Sequence, residues 1–391
     1  MGTDLAIFGG PKTFPQGLPF TQPTVPAWEE ISGELEKMYR SGWLTKGPHL
    51  QRFEECAAEY LNVKHVVAVS SCTTGLILAL QSLQLPPGGE VIVPSFSFMA
   101  TFHALYWNDL KPVFVDVEPD TFTVDAEAVR RAVTSDTVGI MAASTFGNPP
   151  DWEALLKVGK EVGLPVFSDS AHGMGTLYRG ARLGGWGTFE VFSLSPTKLL
   201  AAGEGGLVAT SDSDIAAWVK AGRDYGNPGS YDCPHVGLNG RMSEFHAVLG
   251  RTALQHLEEY AEHRNMVAQA YKERLAHLPG LSFQKIRGGA RSSYKDFAVL
   301  ADEGRFGVSR DVLAKALSAE GIPTRSYFAP AGHQLTPYRG CRRLDLTHTE
   351  RISSRVICLP ISSHMPPETV EKVCGAVEKI YDHRDDLARL S

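Results

Sequence analysis

From residue 66 onward the chain alternates short apolar runs with stretches of helical periodicity. The runs fall at 66–70, 90–94, 112–116, 138–144, 165–169, 191–193 and 206–210, and helical patterns at 74–83, 126–132 and 152–162 separate the earlier ones. Continuous rather than alternating apolar runs are what strands buried on both faces require. Helices between such strands set them parallel, so the pattern predicts an α/β fold built on a covered parallel sheet. Ligands of these sheets bind beyond the carboxyl ends of the strands. Ser70, Pro94, Asp169 and Ser193 all stand at predicted strand ends.

The flanking segments read differently. Residues 1–45 are rich in Pro and Gly, with one helical stretch at 28–40, and are expected to form an arm. A long helical pattern covers 243–275, with Val248, Leu249, Leu254, Leu257, Tyr260, Met266, Val267 and Tyr271 among its apolar positions. Beyond it, strands are expected at 282–284, 296–300 and 355–359, and helices at 310–320 and 368–381. The expected division is an arm (1–45), a large domain (46–250), a connecting helix (251–275) and a small α+β domain (276–391). A chain of 391 residues is long for a single core, which agrees with two domains.

Composition narrows the class. Apolar content of 43% with 21% charged residues is that of a globular protein. A net charge of −6 without long basic runs argues against nucleic acid as a partner. No apolar run approaches the roughly 18 residues that span a membrane. The start of the chain lacks the basic and apolar regions of a signal peptide. Cys56, Cys72, Cys233, Cys341, Cys358 and Cys374 are scattered without CxxC pairing, so neither zinc nor a disulfide framework is expected. Reduced thiols and a cytoplasmic enzyme are the expectation.

The candidate chemistry centres on Lys198. It follows the run Phe192-Ser193-Leu194-Ser195-Pro196-Thr197 and leads into a turn rich in glycine, ending Gly203-Glu204-Gly205-Gly206. It lies 29 residues after Asp169, which closes the apolar run 164–169. A lysine held away from water has a lowered pKa and can act as a Schiff-base nucleophile. A buried aspartate is the partner that a pyridinium nitrogen requires. Together they point to pyridoxal 5'-phosphate. By local pattern alone each candidate also has an ordinary role: Lys198 in a solvated loop, Thr73 beside a helix cap, Phe98 in a core, His172 as a structural histidine, Asn239 in a turn.

Longer blocks add to this. They are Ser41-Gly42-Trp43-Leu44-Thr45, the segment from Pro94 to Thr101, Pro112-Val113-Phe114-Val115-Asp116, Asp169-Ser170-Ala171-His172, the Lys198 segment and the segment from Gly237 to Glu244. In this order and spacing they resemble the pyridoxal phosphate-dependent sugar aminotransferases of the DegT/DnrJ/EryC1/StrS family, over about residues 41–250. Weaker similarity extends to Thr324-Arg325-Ser326-Tyr327-Phe328.

The resemblance implies the fold-type I transferase architecture: a large domain with a mostly parallel seven-stranded sheet and a smaller C-terminal α+β domain. It implies a Schiff base at Lys198, with Asp169 on the pyridine nitrogen and Phe98 stacked on the ring. His172 falls near the phenolic oxygen, and Thr73 and Ser193 at the phosphate, where Cys72 stands at the family's glycine position. Ser195 replaces a histidine common among relatives. Asn239 matches an asparagine that reaches the phosphate of a neighbouring subunit, so a homodimer with shared active sites is expected. The implied reaction passes an amino group from L-glutamate or L-glutamine, by way of pyridoxamine 5'-phosphate, to a keto-sugar, most commonly nucleotide-linked. A keto-cyclitol acceptor and, more remotely, a catalytically silent regulatory paralogue are the alternatives.

Overall fold

The computed structural model describes residues 5–390; the first four residues of the expected arm and the last residue of the chain lie outside them. The first part of the chain builds β1 (His65–Val69), β2 (Glu90–Pro94), β3 (Lys111–Val115), β4 (Thr137–Ala143), β5 (Val166–Asp169), the short hairpin of β6 (Leu177–Tyr178) and β7 (Ala181–Arg182), β8 (Glu190–Ser193) and β9 (Gly206–Thr210). The helices among them are α1 (Trp28–Ser41), α2 (Pro48–Leu61), α3 (Cys72–Ser82), α4 (Met99–Tyr106), α5 (Ala126–Ala132), α6 (Trp152–Val162) and α7 (Ser213–Gly222).

All seven apolar runs become strands of one sheet, in the order β1-β9-β8-β5-β4-β2-β3. Neighbours are parallel from β8 to β3, whereas β9 runs antiparallel to both β8 and β1. The sheet divides two cores. Val66, Ala68, Ile92, Val113, Val115, Ile140 and Ala142 face one side with Phe53, Val129 and Leu155 of the helices. Val67, Val69, Val91, Val93, Phe114 and Met141 face the other with Leu76, Phe102 and Val219. Each of the larger buried side chains (Val, Leu, Ile, Phe, Met) contributes about 1.5–3 kcal/mol, so both faces must be apolar, and the period-two alternation of a half-exposed strand is absent.

The long helical pattern is two helices, α8 (Glu244–Gln255) and α9 (Leu257–Leu275), which meet at His256. Periodicity alone does not show the break, because Leu254 and Leu257 are both buried on either side of it. The C-terminal part forms an antiparallel sheet of Leu281–Phe283, Phe297–Ala301 and Val356–Leu359, packed with Arg310–Ala319 and Pro367–Asp382 around its own core. Leu5, Ile7, Phe14 and Leu18 of the N-terminal segment join that core, and Glu320 accepts the amides of Ala6 and Thr13, each at 2.9 Å. A fourth, aromatic cluster joins the parts: the rings of Phe96 and Phe328 are 5.5 Å apart, those of Phe146 and Phe328 5.6 Å. No helix among the described residues is long and apolar enough to cross a membrane.

Candidate active site

The carboxyl ends of the strands meet in a cavity of about 240 Å³. Cys72, Thr73, Phe98, Asp169, His172, Ser193 and Lys198 line it, so seven of the eight residues singled out in the sequence are brought together. Asn239 is not among them. It is exposed, in an isolated antiparallel bridge to Asp224.

One end of the cavity suits an anion. α3 begins at Cys72, and its N-cap Ser71 accepts the Thr74 amide at 3.1 Å. The amides of Cys72 and Thr73 belong to a helix's first turn, which has no intrahelical partners and carries the positive end of the dipole. β9 lets this turn come close. Gly206 pairs with both Val69 and Ser193, and a Cβ there would stand 2.6 Å from the Cys72 nitrogen. Cys72 fits in place of the family's glycine with its thiol turned inward, 3.8 Å from the Val191 carbonyl oxygen, and burial pushes that thiol up.

Asp169 stands beside this turn, its Oδ1 4.0 Å from Cys72 Sγ. The last residue of β5, it accepts from Thr101 Oγ1 at 2.6 Å and from the Ala171 amide at 3.1 Å. Ser97 Oγ lies 2.8 Å from Thr101 Oγ1 and extends the chain of hydroxyls. Burial raises the carboxyl above its ordinary value, while these bonds and the Lys198 charge pull it back. A buried carboxylate held by these donors is poised for a cation, such as a protonated pyridine would be.

Lys198 is half-buried and makes neither an ion pair nor a side-chain hydrogen bond among the described residues. Burial, reinforced by the Lys295 charge, lowers its pKa to about 8 against an ordinary 10.5, so a sizeable fraction is neutral and nucleophilic near neutrality. His172 accepts the Phe146 amide on Nδ1 at 3.1 Å, and burial drives its pKa well below the ordinary value. That acceptance assigns the neutral ring's proton to Nε2.

The sequence reading assigned no role to Thr101, Lys295, Asp296, Tyr327 or Phe328. Thr101 bonds Asp169, and the other four line the cavity. Thr101, Tyr327 and Phe328 lie within the blocks quoted for the resemblance. Lys295 and Asp296 carried one local signal, two opposite charges directly ahead of the apolar strand Phe297–Ala301.

A cavity at the carboxyl ends of a mostly parallel sheet, with an anion cradle, a buried aspartate and a lysine of lowered pKa, defines a fold-type I pyridoxal phosphate aminotransferase. The DegT/DnrJ/EryC1/StrS aminotransferase family model matches residues 27–378, and the chain belongs to that family. It is 32% identical to an Escherichia coli dTDP-4-amino-4,6-dideoxy-D-glucose transaminase, covering 91% of this chain and 96% of the relative. It is 31% identical to the Bacillus subtilis spore coat polysaccharide biosynthesis protein SpsC, covering 94% and 98%. Among solved structures, DesI in the presence of its TDP-sugar product superposes with a TM-score of 0.93 at 36% identity, covering 99% of both chains. The protein is a sugar aminotransferase with pyridoxal phosphate as its cofactor.

Proposed function

We propose that the protein transfers the amino group of L-glutamate or L-glutamine to a nucleotide-linked keto-deoxysugar in the cytoplasm. The observation that carries this reading is the likeness over 99% of both chains to DesI, solved in the presence of its TDP-sugar product. It is joined by the likeness to a dTDP-aminosugar transaminase. The experiment is to load the purified protein with pyridoxamine phosphate and offer nucleotide keto-sugars and keto-cyclitols separately. Return of the pyridoxal absorption with a nucleotide keto-sugar supports the reading; return with a cyclitol alone overturns it.

Bound pyridoxal phosphate supplies an electrophilic carbon for the amine and an electron sink for the adjacent carbanion. In this reading the chain's residues do the rest. The first turn of α3, Thr73 and Ser193 hold the phosphate, Phe98 stacks on the ring, and Asp169 keeps the pyridine nitrogen protonated. His172 donates from Nε2 to the phenolic oxygen. Lys198 anchors the cofactor, then carries the proton between the substrate carbon and the cofactor carbon as base and acid.

The assembly in this reading is a homodimer in which Asn239 completes the partner's phosphate site. Its loop presents Tyr231 and Val236 at 97% and 79% exposure, and Trp43 and Leu44 are exposed as well. Large apolar side chains left to solvent mark an interaction surface, and twofold pairing is the commonest form of self-association.

A further inference from the structure

Lys295 and Asp296 form a buried ion pair in the wall of the Lys198 cavity, with 6% and 2% of their surfaces exposed. Lys295 Nζ lies 2.8 Å from Oδ1 and 2.9 Å from Oδ2 of Asp296, so one ammonium engages both oxygens of one carboxylate. The Tyr327 ring centroid is 5.5 Å from the same nitrogen. Behind the pair lies Arg264, 1% exposed. It donates to the carbonyls of Tyr294 and Lys295 at 3.1 and 3.3 Å, and to Ser363 Oγ at 3.0 Å. Arg264 makes no ion pair among the described residues.

The charges in this wall do not balance. Arg264 and Lys295 bring two buried cations to it and Asp296 one carboxylate. Unpaired buried charge is costly, and removing its partner commonly destabilises strongly. A lasting excess of positive charge behind a cavity wall, with Lys295 in the lining, therefore makes that wall a place for an incoming anion. The cofactor phosphate does not account for it, since the cradle of Thr73 and Ser193 with the first turn of α3 takes that group. An ammonium has three N–H donors, and Asp296 occupies two of them.

We propose that Lys295, held by Asp296 and backed by Arg264, binds the α-carboxylate of the amino donor beside Lys198. The proposal rests on the transaminase reading above and adds how that site recognises its first substrate. A carboxylate here satisfies the third N–H of Lys295 and neutralises the excess charge left by Arg264. When the donor has left, Asp296 keeps Lys295 paired, so the wall can then face an uncharged sugar ring. The same positive charge adds to burial in lowering the pKa of Lys198 and His172.

The test uses the holoenzyme and an unreactive probe, glutarate, with its uncharged diamide, glutaramide, as the comparison. Calorimetry on the wild type should show glutarate binding more tightly than glutaramide. Lys295→Gln, which still hydrogen-bonds Asp296, should weaken glutarate on the order of 10- to 100-fold and leave glutaramide unchanged. A second variant, Lys295→Met with Asp296→Asn, leaves no unpaired carboxylate and should show the same loss. In the first half-reaction followed by cofactor absorbance, Lys295→Gln should raise the L-glutamate half-saturation by a similar factor. Half-saturation for the ketone acceptor should change less than about 3-fold. Unchanged glutarate affinity in both folded variants, or no glutarate binding by the wild type, overturns the proposal. Failure of the transaminase reading looks different: wild-type cofactor absorbance does not respond to any amino acid, while the glutarate titrations still report on Lys295.

Discussion

Thr101 Oγ1 donates to Asp169 Oδ2 at 2.6 Å, tying the first turn of α4 to the last residue of β5. Burial works to neutralise Asp169 and this bond works to keep it charged. Thr101→Val should therefore raise the carboxyl further and lower turnover roughly 10-fold, the worth of a hydrogen bond to a charged group. Thr101→Ser should keep most activity. Steady-state rates and a pH titration of the cofactor absorbance check this, and a fully active, folded Thr101→Val would show the bond to be dispensable.

Charge and size at Asp169 can be separated. Asp169→Asn preserves the shape but cannot hold a proton on the pyridine nitrogen, and should reduce turnover by at least about a hundredfold. Retention of most activity would make Asp169 a structural carboxylate. Lys198→Ala should abolish the absorption of covalently held cofactor and leave the thermal unfolding of the apoprotein nearly unchanged. Lys198→Arg should be as inactive, because a guanidinium does not give up its proton.

Lys198 also sets a pH dependence. Only its neutral form attacks a carbonyl, and its pKa is lowered to about 8. Capture of pyridoxal phosphate by the apoprotein should speed up about tenfold per pH unit below 8 and level off above it. Stopped-flow absorbance measures this. A rate still climbing towards the ordinary lysine value of 10.5 would mean that the ammonium is solvated.

Gly206 can be tested sterically. Its backbone lies against the first turn of α3, with 2.6 Å between an added Cβ and the Cys72 nitrogen. Gly206→Ala should force the two apart at a cost of about 1–3 kcal/mol, typical of overpacking. Weaker retention of pyridoxal phosphate should accompany it. Thermal unfolding and cofactor equilibrium dialysis give both quantities, and an alanine variant unchanged in both would show that the turn yields freely.

The shared site is open to complementation. Asn239→Ala and Lys198→Ala chains should each be impaired alone. After mixing and subunit exchange, one site of the mixed dimer carries both lesions and the other neither, so activity should partly return. No return despite verified exchange would take Asn239 out of the partner's site.

The sequence by itself determined the sheet, and it singled out Asp169 and Lys198, which line one cavity at the strands' carboxyl ends. Seven continuous apolar runs became seven strands because a strand buried on both faces leaves no room for alternation. Asp169 and Lys198 were legible because each ends or follows such a run, where a polar residue must face a cavity or solvent. Tertiary structure alone decided the rest. β9 turns antiparallel because it pairs between β1 and β8, a choice that its own five residues do not encode. The strands β6, β7 and Ala290–Arg291 have two residues each, too short for any period; β6 and β7 pair as a local hairpin, and Ala290–Arg291 is held to β6 across more than 100 positions. Lys295 and Asp296 look like two solvated charges in sequence. Arg264, Tyr327 and Lys198, remote along the chain, close around them and turn the pair into part of a wall. Burial depends on what the rest of the chain brings to a residue, so a charge's neighbours in sequence say little about its neighbours in space.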